Sequence, residues 1–453
     1  MLRPRNKHAL LVNPWITDFA AYDFWIRPLG LLTVAAALRN AGFDVTLIDC
    51  LDRSHPSVQG KTLRNRNDGT GNFLKTKVPK PEVLRFVPRI YGRYGIPLEV
   101  FEEELACAPA PDIVIVTSSM TYWYPAVFEA IARIGAHFTD VPVVLGGRYA
   151  TICADHARQH SGADCVLEGH LGHKTAQAIS ELTEVDIEIS DVYSDLPPPA
   201  HDLQRDTSVA AVSLTRGCPC RCTYCVSHLL SPKFELRTAD SAISEIRFLT
   251  EELGTRHIAF YDDALLAQAD ELLIPLLRFV IRKNYRINFY TPNALHASLM
   301  TPEIARLMAH SGFAQIRLGF ESTDPNFLRS TGGKVNPEQF RRAVACLKEA
   351  GFKSADIGAY IICGHPMQNE EDIHLAMNAV AELGVIPILA EYSPIPGSED
   401  FEAAVASFRH PPDQDPLLHN SSIVMYQHPS ISPQEFQRLK LESLALRKKL
   451  SID

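Results

Sequence analysis

The sequence lacks the features that mark several large classes of protein. Its ten cysteines are too few, in 453 residues, to build a disulfide-rich scaffold. No run approaches the ~18 apolar residues of a membrane-spanning helix, and HALLV, which follows the basic MLRPRNK, is too short for the apolar core of a secretory signal. A net charge of −9 and the lack of a basic-aromatic module give no argument for nucleic-acid binding. These absences predict a soluble cytoplasmic protein, in which clustered cysteines indicate metal or redox chemistry.

One segment departs from the acidic overall balance. Residues 61–94 contain nine basic side chains against two acidic ones, Asp68 and Glu82. The basic residues are Lys61, Arg64, Arg66, Lys75, Lys77, Lys80, Arg85, Arg89 and Arg93. Such a run is either a solvated face or a site for an anionic ligand or an acidic partner, and the sequence leaves both interpretations open.

In the first part of the chain, short apolar runs alternate with stretches of helical spacing. The strand-like runs are HALLVNP (8–14), DVTLIDC (44–50), DIVIVTSS (112–119), PVVLGG (142–147) and ADCVLEG (163–169), and the helical stretches are 30–43 and 126–138. This alternation predicts βαβ units. Residues 1–185 are therefore predicted to form an α/β domain, a Rossmann-like doubly wound parallel sheet. Its basic excursion, 53–105, is long enough to be either functional or locally disordered.

A second α/β region follows a proline-rich linker at 186–207, in which PPP stiffens the connection. Predicted strands are 208–215, 257–261, 286–291, 314–319, 355–362 and 387–392, and predicted helices are 236–253, 270–284, 302–311, 338–350 and 369–383. These six βα units predict a partial (β/α)6 barrel at 208–394. Residues 395–453 are predicted to be a C-terminal appendage with a final helix around 433–450.

Polar and glycine residues follow the predicted strands of the second region. They are the cysteine cluster, Asp262, Asp263, Asn293, Glu321 and Gly364. Because chemistry gathers at the carboxyl ends of barrel strands, these residues are expected on one rim.

The cysteine cluster itself reads CPCRCTYC, from Cys218 to Cys225. A four-iron cluster that only transfers electrons is normally held by four cysteines. With three ligands, one iron keeps an open position that can bind a small molecule, as open zinc sites do. Four thiolates closing a zinc site is the structural alternative, although C-x-C-x-C in one tight turn is poor geometry for a tetrahedral ion.

The stretch TRGCPCRCTYC resembles the C-x₃-C-x₂-C signature of the radical S-adenosylmethionine (SAM) superfamily. The resemblance implies that Cys218, Cys222 and Cys225 hold a [4Fe–4S] cluster and that SAM chelates the open iron. It leaves Cys220 as a spare cysteine and places Tyr224 near the adenine. In such enzymes the reduced cluster cleaves SAM to methionine and a 5′-deoxyadenosyl radical, while the protein supplies orientation and excludes water.

Further motifs at 261–398 resemble the same superfamily. YDD (261–263), TPNAL (291–295), GFES (319–322), YIICGHP (360–366) and YSPIPGS (392–398) stand in the order and spacing of its SAM-contacting segments. The resemblance implies SAM contacts by Asp262, Asp263, Asn293, Glu321, Ser322, Ile362 and Gly364. For YDD, an ordinary helix N-cap is the structural alternative.

Residues 8–185 resemble the cobalamin-binding domain fused to one radical SAM subfamily. The resemblance implies cobalamin contacts at Thr117, Ser118, Ser119, Gly146 and Gly147, because small residues would let a flat corrin or its nucleotide tail approach the backbone. The histidine motif D-x-H-x-x-G is missing after the first strand, where the sequence reads NPWITDFAAYDFWIRPLG. A Rossmann-like domain used only for docking is therefore the alternative.

Together these resemblances imply a radical SAM enzyme that methylates an unactivated carbon with the help of cobalamin. Two alternatives stay open. One is a cobalamin-independent rearrangement, cyclisation or sulfur insertion, and the other is a non-catalytic iron–sulfur or zinc binding module. The expected partners are a substrate of unknown class and an electron donor such as flavodoxin or ferredoxin. No residue is predicted as an acid–base catalyst.

Overall fold

The computed structural model describes residues 6–61 and 63–451. The ends of the predicted domains at 1–5 and 452–453, together with Thr62, lie outside the described residues. The chain divides into two compact units, Met1–Ala210 with Glu252–Gly254, and Ala211–Glu251 with Thr255–Asp453. In the described part of the chain, no helix is both long and apolar enough to cross a membrane.

The five predicted strands and two predicted helices of the first unit are present in the predicted order, together with further short strands and helices. Its strands are β1 (His8–Asn13), β2 (Ile16–Asp18), β3 (Tyr22–Asp23), β4 (Asp44–Asp49), β5 (Gly71–Asn72), β6 (Lys75–Lys77), β7 (Gly92–Tyr94), β8 (Ile113–Ser118), β9 (Val143–Gly147) and β10 (Cys165–Val166). Its helices are α1 (Leu29–Asn40), α2 (Leu98–Cys107), α3 (Tyr124–His137), α4 (Arg148–Ile152), α5 (Ala154–His160) and α6 (His173–Thr183).

A five-stranded parallel sheet in the order β10-β9-β8-β1-β4 forms the centre of this unit. Every residue of β1 is buried, and its side chains alternate between two cores. Leu10 and Val12 pack into one core, whereas Ala9 and Leu11 pack into the other. A sheet covered on both faces explains why its strands read as continuous apolar runs. The strand order reverses between β1 and β8, which makes their carboxyl ends the switch point where ligands of such sheets bind.

The described residues of the excursion at 53–105 include short strands and helices. The excursion contributes β7 to a small antiparallel sheet in the order β2-β7-β6, pairs β5 with β3, and ends in α2. Several of its basic side chains pack on aromatic rings of the same unit. Lys75 lies over Tyr94, and Lys80 and Arg89 both lie over the ring of Phe19. These basic side chains therefore pack against aromatic rings and are not simply exposed to solvent.

The second unit is a run of βα repeats. Strand β11 (Val209–Val212) contains the boundary between the two units. The other strands of the second unit are β12 (Thr215–Arg216), β13 (Glu235–Leu236), β14 (His257–Phe260), β15 (Asn288–Tyr290), β16 (Phe313–Glu321), β17 (Ile357–Cys363) and β18 (Ile386–Glu391). Its helices are α7 (Ser227–Leu230), α8 (Ala239–Arg247), α9 (Leu273–Lys283), α10 (Pro302–Ser311), α11 (Pro325–Ser330), α12 (Pro337–Glu349), α13 (Glu370–Glu382), α14 (Phe401–Ser407), α15 (Val424–Gln427) and α16 (Pro433–Leu450).

Six of these strands form one sheet in chain order, β11-β14-β15-β16-β17-β18, with parallel pairing from β14 to β18. This is the partial barrel that the βα alternation predicts. The five predicted helices are present, although the helix predicted at 236–253 continues beyond α8 as a π-helical turn, Phe248–Glu252. Thr301, Asn336 and Asn369 cap α10, α12 and α13 through side-chain oxygens.

The C-terminal residues pack onto the end of the barrel. The predicted final helix is confirmed as α16, which begins with a capping box between Ser432 and Glu435. The Ser443 hydroxyl donates to the Pro387 carbonyl of β18. Gly364, directly after β17, leaves room for this layer, because a Cβ atom there would lie 2.9 Å from Val424 and 3.0 Å from Phe436. The loop after β17 therefore fits closely against the C-terminal helices.

Candidate functional site

The second unit contains a cavity of about 380 Å³ beside the carboxyl ends of its strands. Residues lining it include Cys218, Cys220, Cys222, Tyr224, Cys225, Asp263, Asn293, His296, Glu321, Lys334, Tyr360, Ile362 and Tyr392. The expectation that residues following separate strands share one rim is met for most of the predicted site. A cavity of this volume is within the range of small-molecule sites.

The loop after β12 presents all four clustered cysteines to this cavity. Gly217 starts the loop with a φ of 81°, and a Cβ atom there would lie 2.4 Å from the Lys233 carbonyl oxygen, so only glycine fits. The Thr223 hydroxyl donates to Asp400 over 2.6 Å and fixes the middle of the loop. Gly332 packs against the other side, where a Cβ atom would lie 3.0 Å from the Cys222 Cα.

The thiols of this loop are poorly solvated. Burial raises the pKa of Cys218 to about 12 and the pKa of Cys222 to about 11, although the Lys334 ammonium opposes the shift at both. These raised pKa values keep both thiols protonated at neutral pH, so a metal ion that binds them would have to displace their protons. The donor set is suited to a metal centre rather than to a free nucleophile.

Opposite the cysteines, Glu321 and Lys334 form a buried ion pair at 3.9 Å. Glu321 ends β16 with a φ of 70°, in the left-handed region that a glutamate adopts at a cost of ~1–3 kcal/mol. Burial raises its pKa, while Lys334 and the Tyr224 hydroxyl lower it. Burial also lowers the pKa of Lys334, but Glu321 and the cysteines outweigh that effect and raise it. Gly319 makes room for the carboxylate, since a Cβ atom there would lie 2.9 Å from Glu321 Oε1.

Asp263, Asn293 and Ile362 also line the cavity, as does Tyr224. Asp263 accepts a hydrogen bond of 3.0 Å from the Ser227 hydroxyl. The Asn293 amide nitrogen donates to the backbone carbonyls that follow β14, so that its side-chain oxygen remains for a ligand.

Three predicted residues do not line the cavity. Asp262 turns inward and accepts from the backbone of Leu214 and from the backbone and hydroxyl of Thr215. It caps no helix, so the N-cap alternative is wrong, because α9 begins only at Leu273. The Ser322 hydroxyl accepts from the Asp324 amide, and Gly364 packs against the C-terminal helices.

In the first unit, the five predicted small residues lie at the carboxyl ends of β8 and β9. The Ser118 hydroxyl donates to the Gly146 carbonyl over 2.7 Å. Gly147 has a φ of 100°, and a Cβ atom there would lie 2.2 Å from the Ser118 carbonyl oxygen. Beside Gly146, in contrast, a Cβ atom would meet nothing within 4 Å. Thr117 is half-buried and Ser119 is exposed, so these two and Gly146 are the groups left for a ligand.

Residues 212–380 match the profile of the radical SAM superfamily. The match contains the cysteine loop and the ends of β14 to β17, which surround the cavity. The chain carries a radical SAM domain.

Several proteins resemble a larger part of the chain than these residues. An uncharacterized methyltransferase of Pyrococcus horikoshii is 23% identical over 332 residues, which cover 66% of this chain and 70% of that protein. Bacteriochlorophyllide d C-12(1)-methyltransferase of Chlorobaculum tepidum is 26% identical over 293 residues, which cover 59% of this chain and 61% of that protein. The structure of the radical SAM methyltransferase TsrM from Kitasatospora setae, with cobalamin and a [4Fe–4S] cluster bound, superposes with a TM-score of 0.66 at 18% identity, over 98% of this chain and 91% of that one. This likeness shows that the chain has the fold of a Rossmann-like domain joined to a radical SAM barrel.

Lys334 and His296 are among the cavity residues that sequence reasoning missed. Lys334 follows Gly332 and Gly333 in a loop between α11 and α12, and it carries no motif that distinguishes it from a surface lysine. His296 stands three residues beyond Asn293, directly after the segment TPNAL (291–295), but a lone histidine gives no sign of its neighbours. In the structure the His296 ring lies 3.9 Å from the sulfur atoms of Cys218 and Cys220.

Proposed function

We propose that this chain is a cobalamin-dependent radical SAM methyltransferase, in which Cys218, Cys222 and Cys225 hold a [4Fe–4S] cluster. The observation that carries the proposal is that one cavity, of about 380 Å³, is lined both by these cysteines and by acidic, amide, basic and aromatic groups. A polar, charged molecule with a flat base such as SAM needs this combination of groups. Reductive cleavage of SAM at its sulfonium is the chemistry that a [4Fe–4S] cluster supplies in this superfamily.

The chain's own residues would bind and orient SAM. Lys334 is suited to the SAM carboxylate, and Glu321 and Asp263 are suited to its amine or ribose hydroxyls. Asn293 offers its side-chain oxygen to the same polar groups. We expect Tyr224 and Ile362 to form the adenine slot, because both line the cavity and present apolar surface.

The three predicted SAM residues that lie outside the cavity would act through their neighbours. Asp262 holds the backbone from which the cysteine loop starts. Ser322 fixes the turn after Glu321 through its bond to Asp324, and Gly364 lets the C-terminal layer approach. They are positioning residues in this proposal.

Cobalamin would bind at the carboxyl edge of the first sheet, on Thr117, Ser119 and Gly146. The open space beside Gly146 would accept a flat group next to the backbone. Ser118 and Gly147 would stabilise the shape of this edge. The Ser118 hydroxyl donates to the Gly146 carbonyl, and Gly147 packs against the Ser118 backbone. The fold shared with TsrM and the methyltransferase names of the sequence relatives support methylation as the reaction. We expect a cytoplasmic location and reduction by a flavodoxin or ferredoxin, since the cluster needs a reducing compartment.

The test is anoxic reconstitution of the full chain with iron, sulfide and hydroxocobalamin, followed by desalting. We expect an EPR signal from the reduced cluster that SAM perturbs, release of 5′-deoxyadenosine, and retention of cobalamin in the visible spectrum. SAM cleavage without retained cobalamin would favour the cobalamin-independent alternative. A chain that holds zinc and neither binds nor cleaves SAM would be a binding module, and the proposal would be wrong.

A further inference from the structure

The spare cysteine of the cluster loop lies in a second group of metal-ligand side chains. Cys218, Cys220 and His296 each offer one donor atom, and all three atoms lie within 4.8 Å of one another. Among the described residues, this is the one such trio of histidine, cysteine or carboxylate groups. Cys222 and Cys225 do not belong to it. A [4Fe–4S] cluster spreads its thiolates over separate irons, whereas donor atoms this close suit a single ion.

His296 is the unusual member of the trio, because its side chain is buried and has only sulfur partners. The residue is 3% exposed. Nε2 lies 3.9 Å from Cys218 Sγ, and Nδ1 lies 3.9 Å from Cys220 Sγ. Buried imidazoles normally have strong hydrogen-bond partners, and thiols are only weak donors and acceptors. Both ring nitrogens therefore have weak partners at long distances, which is a reason to expect a metal ion.

We propose that the cluster-free chain binds one divalent ion of the zinc class at Cys218, Cys220 and His296. Zinc–sulfur and zinc–nitrogen bonds of ordinary length would place sulfur and nitrogen roughly 3.6 Å apart in a tetrahedral site. Only one ring nitrogen can bind the ion, so one of the two 3.9 Å contacts needs a shift of a few tenths of an ångström. The other thiol contacts the second nitrogen and has to approach by up to about 1.2 Å, because the three donor atoms lie within 4.8 Å of one another. On binding, each of the two thiols gives its proton to solvent, and the neutral imidazole donates a lone pair. Three protein ligands leave the fourth position open to water from the cavity.

The site would compete with the cluster, because both use Cys218. This part of the inference rests on the proposed function. A chain loaded with zinc at the trio cannot give Cys218 to iron, so zinc would delay cluster assembly until it leaves. Cys220 and His296 would thereby decide which metal the nascent loop takes, although neither is a cluster ligand.

The experiment uses the full-length, anoxic, cluster-free protein and Co²⁺ as the probe. We expect one Co²⁺ per chain, with thiolate-to-cobalt charge transfer and the intense visible bands of four-coordinate cobalt, displaced by Zn²⁺. Cys220→Ala and His296→Ala should each weaken binding at least about 100-fold, the upper end of the effect of losing an outer-shell partner. Cys225→Ala is the matched control, and it should keep cobalt affinity within a few fold while losing the [4Fe–4S] cluster.

Cluster assembly provides the second measurement. Zn²⁺ added before iron and sulfide should slow the appearance of the cluster in the wild-type chain but not in Cys220→Ala. The proposal is overturned if Cys220→Ala and His296→Ala bind cobalt as tightly as the wild type, or if Cys225→Ala weakens binding as much as they do. Failure of the zinc-free wild type to form any four-iron cluster would count against the proposed function, while the cobalt result would still decide this site.

Discussion

The carboxyl edges of the two parallel sheets are built from similar elements but leave different groups free. In the second unit, Glu321 and Asn293 follow separate strands and face a cavity of about 380 Å³. In the first unit, the Ser118 hydroxyl is bound to Gly146, and Gly147 packs against the Ser118 backbone. A polar pocket of about 60 Å³ in the same unit lies beside Asp49, at the end of β4.

The difference shows that small residues at a strand end can be required by the backbone of the sheet rather than by a ligand. A glycine in the left-handed region, such as Gly147, is required by the backbone whether or not a ligand binds. A buried ion pair beside four cysteines has no comparable structural role, since a well-packed apolar pair is often as stable. The second edge therefore offers a ligand more free polar groups than the first.

The largest effect is expected from removing one proposed cluster ligand, Cys222. Cys222→Ala should lose the cluster, and release of 5′-deoxyadenosine should fall below detection, because two thiolates cannot hold the centre. Iron content and EPR after anoxic reconstitution are the measurements. Cys107→Ala, an exposed cysteine of the first unit, is the control and should behave as wild type. Cobalamin retention should not change in either variant, and full iron content in Cys222→Ala would contradict the assignment.

Gly147→Ala tests whether the glycine at the first edge is required for the structure of the sheet. The left-handed backbone and the 2.2 Å approach to the Ser118 carbonyl should together lower the free energy of unfolding by ~2–5 kcal/mol. Urea denaturation followed by circular dichroism measures the change. If Gly147→Ala has the same urea denaturation midpoint as the wild type, the edge relaxes easily around the new methyl group. The contrast between the two edges would then weaken.

The pH dependence of stability compares two carboxyl groups, Asp262 in the second unit, which is buried, and Asp49 in the first, which is half-buried. Burial raises the pKa of Asp262 to about 7, although hydrogen bonds from Thr215 and Leu214 lower it. Burial raises the pKa of Asp49 to about 6, although hydrogen bonds from Leu51 and Asn13 lower it. With both pKa values raised above 3.8, the folded state holds more protons than the unfolded one, and stability falls as pH rises from about 4 to about 7.

Asp262→Asn should therefore remove more of this decline than Asp49→Asn does, with a difference of the order of 1 kcal/mol. Urea unfolding of both variants and of the wild type, across the same pH range, measures it. An equal or larger effect at Asp49 would reverse the expected order of the two sites.

Gly319→Ala disturbs the second edge without removing a polar group. The new methyl group would lie 2.9 Å from Glu321 Oε1 and should displace the carboxylate. We expect SAM affinity to fall about 10- to 100-fold, the value of one charged hydrogen bond. Calorimetric titration with SAM under anoxia is the measurement. Gly135→Ala, in α3, is the matched control because its Cβ atom would meet nothing within 4 Å. Unchanged SAM affinity in Gly319→Ala would remove Glu321 from the proposed site.

The smallest effect on stability is expected for Gly146→Ala. Open space surrounds the position, so the free energy of unfolding should change by less than about 0.5 kcal/mol. If cobalamin lies against this backbone, the added methyl group should nevertheless reduce its retention after desalting. If Gly146→Ala retains cobalamin normally, cobalamin does not contact the backbone of β9 at this position, and the proposed contact with Gly146 is wrong.

The amino-acid order was sufficient to predict the long strands and helices and the spacing of the proposed cluster ligands. Continuous apolar runs predict buried parallel strands, and the strands β14 to β18 lie within a few residues of the predicted ranges. The spacing of Cys218, Cys222 and Cys225 is local, so it can be read from eight consecutive residues. The short strands β2, β3, β5, β6 and β7 escaped prediction because two or three residues show no measurable periodicity.

The residues of distant loops that meet at the cavity could be identified only from the packed fold. Lys334 reaches Glu321 and the cysteines because its glycine-containing loop packs on the Cys222 backbone, and His296 reaches Cys220 across 76 positions of sequence. The same packing turned Asp262 away from the cavity although its neighbour Asp263 faces it. Strand register and close backbone contact set these distances, and a linear motif records neither of them.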